Sequence, residues 1–98
     1  MKFATDIINR GYIDIYGHRV KIEISDTLLT DSLLGKANYT TDTISLSSHQ
    51  SEANKEDTLL HETLHFISDR NKLDLTEQQV MILTTGLYSI FMDNVEDI

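Results

Sequence analysis

Two histidines stand four residues apart in the stretch His61-Glu62-Thr63-Leu64-His65, with an acid directly after the first. On an α-helix, residues four apart lie one above the other on the same face. Two imidazoles so placed can reach one ion from the same side, each at about 2.0–2.1 Å from zinc. Glu62 projects about 100° further around the helix. There a carboxylate misses direct coordination but can reach a water held by the ion. Zinc lowers the pKa of such a water towards roughly 7, and the carboxylate takes its proton as attack on a carbonyl begins. The pattern H-E-x-x-H therefore predicts a hydrolytic metal centre, with His61 and His65 as ligands and Glu62 as general base. The plainer alternative is a surface helix that carries two histidines by chance.

A catalytic zinc takes a third protein ligand and keeps one position open. The chain has no cysteine, so that ligand must be His, Asp or Glu. Asp57 and Asp69 share the histidine stripe, but each is about 12 Å along the axis from the farther histidine. That exceeds a short aspartate's reach, and both fit better as groups that orient a ligand imidazole. His49 sits on the connection before the helix and is a weaker candidate. Glu77 opens the next helix and projects to the same side as Val80, Thr84 and Tyr88, the side expected to face the first helix. An inward carboxylate needs a partner, and zinc would be one. The competing role for Glu77 is simply that of a first-turn acid answering the helix dipole. Tyr88 is expected to pack beneath the site, with a hydrogen bond to it as the other option.

The elements that must position these residues can be read from period and caps. "YIDIYGHRVKIEIS" alternates with period two, with Val20, Ile22 and Ile24 on one side, and predicts two strands turning at Gly17-His18. "DTLLTDSLLG" (26–35) is ambiguous between loop and short helix. "KANYTTDTISLSS" (36–48) predicts a second strand pair turning at Thr41-Asp42, with Ile44 and Leu46 facing the core. Ser51 caps a helix that starts near Glu52, carries Leu60, Leu64 and Ile67 at helical spacing, and ends near 70–72. Thr76 and Gln79 form the pattern of a capping box. The helix they open runs to about Asn94, with Val80, Leu83, Thr84, Leu87 and Phe91 on its buried side. A short helix–helix connection favours antiparallel neighbours. If the strand 43–48 is a sheet edge beside the metal, a peptide can add to it as a further strand.

Composition narrows the function classes. The 98 residues suit one domain, 1–98, with a modest core. Sixteen acidic against eight basic residues give a net charge of −8. That field repels phosphate backbones and argues against nucleic acid as a partner, while favouring divalent cations or basic peptides. No apolar run is long enough to span a bilayer, and the opening "MKFATDIINRG" lacks the apolar core of a signal peptide. Without cysteine the chain fits a reducing compartment, so the expectation is a cytoplasmic protein without membrane contact.

The stretch "DTLLHETLHFISDRNKLDLTEQQVMILTTGLYSIFMDN" resembles small phage-associated zinc metallopeptidases related to the ImmA/IrrE group. The resemblance is best over Thr58–Asn94, and upstream "LLGKANYTTDTISL" is similar to the strand pair that precedes the zinc helix in such proteins. It implies an α+β minimal zincin, a small antiparallel sheet packed on an active-site helix and a second C-terminal helix. It also implies Zn2+ on His61, His65 and Glu77, with Glu62 catalytic. The implied partner is a protein or peptide substrate, and some relatives of that type act on repressors. The chain is shorter than the full family domain. This leaves open a second function, a catalytically silent zincin-like binding or regulatory protein of a phage or prophage.

Overall fold

The computed structural model describes residues 1–28 and 34–94. Seven elements follow in order: α1 (Lys2–Arg10), β1 (Tyr12–Ile15), β2 (His18–Ser25), β3 (Gly35–Asn38), β4 (Thr43–Ser47), α2 (Glu52–Asn71) and α3 (Glu77–Asn94). Part of the ambiguous stretch 26–35, residues 29–33, lies outside the described residues.

The strands form one sheet in the order β1-β2-β4-β3. β1 pairs antiparallel with β2, opposing Ile15 to His18. That leaves a two-residue loop, Tyr16-Gly17, both with positive φ (51° and 77°), the type I′ pattern whose twist suits a hairpin. The turn therefore falls one residue before the expected Gly17-His18. β3 and β4 pair antiparallel across Tyr39–Asp42, where Asn38 Oδ1 accepts from the Thr40 and Thr41 N–H groups.

The α+β class and the packing of a sheet on the histidine-bearing helix hold, but the sheet is mixed rather than antiparallel throughout. β2 and β4 run parallel, Ile22 opposite Ile44. Parallel strands need a long crossover, and here that crossover contains β3. As a result β4 lies inside the sheet, and the edge nearest the histidine-bearing helix is β3, not the strand 43–48.

The side chains dictate which face is covered. Val20, Ile22, Ile44 and Leu46 point inward and are buried, as are Leu59 and Phe66 of α2 and Ala4 and Ile7 of α1. Lys21, Glu23 and Arg19 alternate outward. Ile24 lies on the inner side by alternation yet is exposed. Helix α1 was not foreseen: Ala4, Ile7 and Ile8 share one face, and Gly11 closes it in the left-handed conformation. The residue before it, Met1, joins the core's polar seam, where its ammonium meets Glu56 at 2.8 Å and the Tyr88 hydroxyl donates to the same carboxylate at 3.1 Å.

Ser51 caps α2 as expected, its hydroxyl accepting from the Asn54 N–H at 3.2 Å. The capping box of α3 is closed in both directions. Thr76 Oγ1 accepts from the Gln79 N–H, and Gln79 Oε1 accepts from the Thr76 N–H. α3 packs against α2, burying Val80 and Thr84, while Leu83 points to solvent. No described helix is long and apolar enough to cross a membrane.

Candidate metal centre

His61 and His65 lie on the middle turns of α2, on the side turned toward the start of α3. Their Nε2 atoms face one another at 3.2 Å. Glu77, the first residue of α3, brings one carboxylate oxygen to 2.6 Å from His61 Nε2 and the other to 2.8 Å from His65 Nε2. One ligand atom from each of the three lies within 4.8 Å of the other two. Ligand atoms about 2.0–2.1 Å from a tetrahedral ion stand roughly 3.3 Å apart. The two imidazole nitrogens already have that spacing, and the carboxylate needs only a small withdrawal. Two imidazoles and a carboxylate suit zinc and other borderline divalent ions.

The route to this convergence is local. The four-residue spacing aligns the imidazoles. The short connector, with Lys72 and Asp74 at positive φ, turns the chain back. The Leu75 N–H then bonds Ser68 Oγ, and the Leu73 N–H bonds the Ser68 carbonyl. The capping box then starts α3 at Glu77. One expectation is corrected here: Glu77 is not an inward, buried acid. Its side chain is 66% exposed, against 17% and 19% for the histidines, so it closes the cluster from the solvent side.

Glu62 sits a third of a turn away and is 7% exposed. Burial pushes its carboxyl up to about 6; the neighbouring His65 lowers it and the Glu77 charge raises it. Part of this burial comes from β3. Gly35 lies so close to α2 that a β-carbon there would collide with Thr58 Cγ2 and press on Glu62 Cγ at 3.3 Å. The edge strand thus reaches the helix only because residue 35 has no side chain. Between them opens a cleft of about 280 Å³, walled by Leu34, Gly35, Thr58, His61, Glu62, Glu77 and Met81.

The other candidates stay apart. Asp57 borders the cleft and Asp69 is exposed, but neither belongs to the cluster. Among the described residues, neither bonds an imidazole. His49 is exposed outside it. Tyr88 donates its hydrogen bond to Glu56 rather than to the site. Burial and that bond raise its phenol.

Tyr39 was missed. It follows β3 and sets its ring edge-on against Phe66 at 5.0 Å. Its phenol is raised by burial, then by the charges of Asp69, Glu62 and Glu77. Its position directly after an edge strand was the available signal, but that edge became visible only with the sheet order. Comparison with protein-family models, with curated proteins and with solved structures returned no match.

Proposed function

We propose that the protein is a zinc-dependent metallopeptidase that hydrolyses peptide bonds, with His61, His65 and Glu77 as ligands and Glu62 as general base. The observation that supports this most is the convergence of two Nε2 atoms and one carboxylate within 4.8 Å, beside a buried acid that borders the same cleft. Bound there, zinc supplies Lewis-acid polarisation and water activation at neutral pH. Glu62, with its carboxyl near 6, is ionised at neutral pH and basic enough to accept a proton. Glu77 restrains both rings from the open side. Among the described residues no strand pairs with the outer edge of β3, and an extended peptide can lie there as an added strand. The substrate is then a protein or peptide, a repressor among the possibilities that the family resemblance implies, and the setting a cytoplasm.

Metal analysis and hydrolysis of denatured protein test this together. One zinc per chain and chelator-sensitive cleavage are expected. Glu62→Gln should retain zinc and lose roughly 10²–10⁴-fold in rate, whereas His61→Ala should lose the metal. Zinc lost in Glu62→Gln, or cleavage indifferent to chelator, would falsify the assignment. A second reading, a zincin-like phage regulatory protein that holds metal without turnover, draws on the cleft. Its volume, about 280 Å³, falls just under the ~300–1,000 Å³ of most ligand pockets. Bound zinc with no cleavage of any substrate would favour it.

A further inference from the structure

Helix α3 presents two faces. Val80 and Thr84 are buried, and α2 is the helix on which α3 packs. On the opposite face Ile82, Leu83 and Ile90 are 64%, 44% and 55% exposed. Residues 78–92 contain no charged side chain, although charged residues make up 24% of the chain. At the middle of the exposed stripe is Gly86, where an added β-carbon would meet nothing within 4 Å. Nothing among the described residues demands glycine there, and glycine weakens a helix interior relative to alanine. What it does allow is the close approach of another helix.

We propose that α3 pairs antiparallel with α3 of a second copy, about a two-fold axis passing Gly86. Two features select a second copy as the occupant. With a net charge of −8, two copies repel over most of their surface, and this stripe, whose one charged residue is Asp93 at its end, is where they can meet with least repulsion. The stripe is also self-matching about its centre. Ile82 and Ile90 lie four residues either side of Gly86, and Gln79 and Asp93 seven. All fall on one helical face. A two-fold contact opposes residue i to residue j and j to i. Ile82 then packs on the partner copy's Ile90, and Gln79 meets the partner copy's Asp93. Gln79 Oε1 is already used by the Thr76 N–H, and Asp93 Oδ2 by the Ser89 hydroxyl. The remaining Gln79 amide N–H can donate to the remaining Asp93 oxygen. Glu77 and Met81, which line the cleft, lie on another side of the helix, so both clefts stay open. The pairing does not depend on the proposed activity.

One helix pair buries less than the ~800 Å² per partner of a standard interface, so the dimer is a weak and reversible one. Sedimentation equilibrium over roughly 1–500 µM, a span suited to an interface of that size, should show a mass rising from 11.2 kDa to twice that and stopping. Ile82→Glu and Ile90→Lys each place a charge on an exposed position, and circular dichroism should show both folded. Each alone should keep the protein monomeric over the whole range, because the charge faces an isoleucine of the partner copy. Together they should restore the dimer, since Glu at 82 then faces Lys at 90. A wild-type monomer at the highest concentration overturns the proposal, as do growth past a dimer, a dimer that survives Ile82→Glu, and a double variant that stays monomeric.

Discussion

Glu62 is a buried carboxyl whose acidity ties stability to pH. In the folded chain it titrates near 6, against an ordinary value of 4.5. Below about 4.5 it is protonated in both states and imposes no penalty. As pH rises through 6 the folded state must hold a buried carboxylate that the unfolded chain keeps in water. In the presence of chelator, Glu62→Gln should therefore stabilise the protein at pH 7.5 by about 1–2 kcal/mol. The gain should shrink toward zero by pH 4.5 in urea melts at the two pH values. A gain equal at both would mean that the carboxyl is not held up by burial. The grouping of His61 and His65 on one helical face, with Glu62 beside them, could be read because a four-residue spacing is a local rule of helix geometry. Glu77 was found by its place at a helix start, but its approach from solvent was not, since that depends on how the connector turns. Tyr39 and Gly35 were out of reach: what they touch is set by strand order.

The helices α2 and α3 were legible from their caps, Ser51 and the Thr76/Gln79 box, and from apolar periodicity. α1 carried its signal too, in Ala4, Ile7 and Gly11, but nine residues give little periodicity to recognise. Leu83 was placed inside because a wide apolar helix hides which of its faces packs. The strands were legible as strands; their pairing was not, because alternation fixes a face and not a neighbour. The capping box matters beyond α3 itself, as it sets the backbone from which Glu77 reaches both histidines. Thr76→Ala removes one arm of the box and should lower stability by about 1 kcal/mol. It should also weaken zinc binding through Glu77, though less than Glu77→Ala does, which paired thermal melts and zinc titrations can check. Zinc affinity unchanged in Thr76→Ala would separate the cap from the site.

Across the molecule, protection should follow sheet order. β4 has neighbours on both sides, and Ile44 and Leu46 are fully buried. Their amides should exchange most slowly, near the rate of global unfolding, while those of edge strand β3 open earlier. Native-state hydrogen exchange resolved by residue decides this; β3 amides as slow as those of β4 would contradict it. The insertion of β4 between β2 and β3 also fixes the order of assembly. A growing chain that has emerged only as far as Asp42 holds the first hairpin and the edge strand, but not the strand that separates them. The sheet can close only when Thr43–Ser47 arrives, a few residues before the histidine helix begins. The histidine-bearing helix and the sheet it packs on are therefore completed within a few residues of one another along the chain.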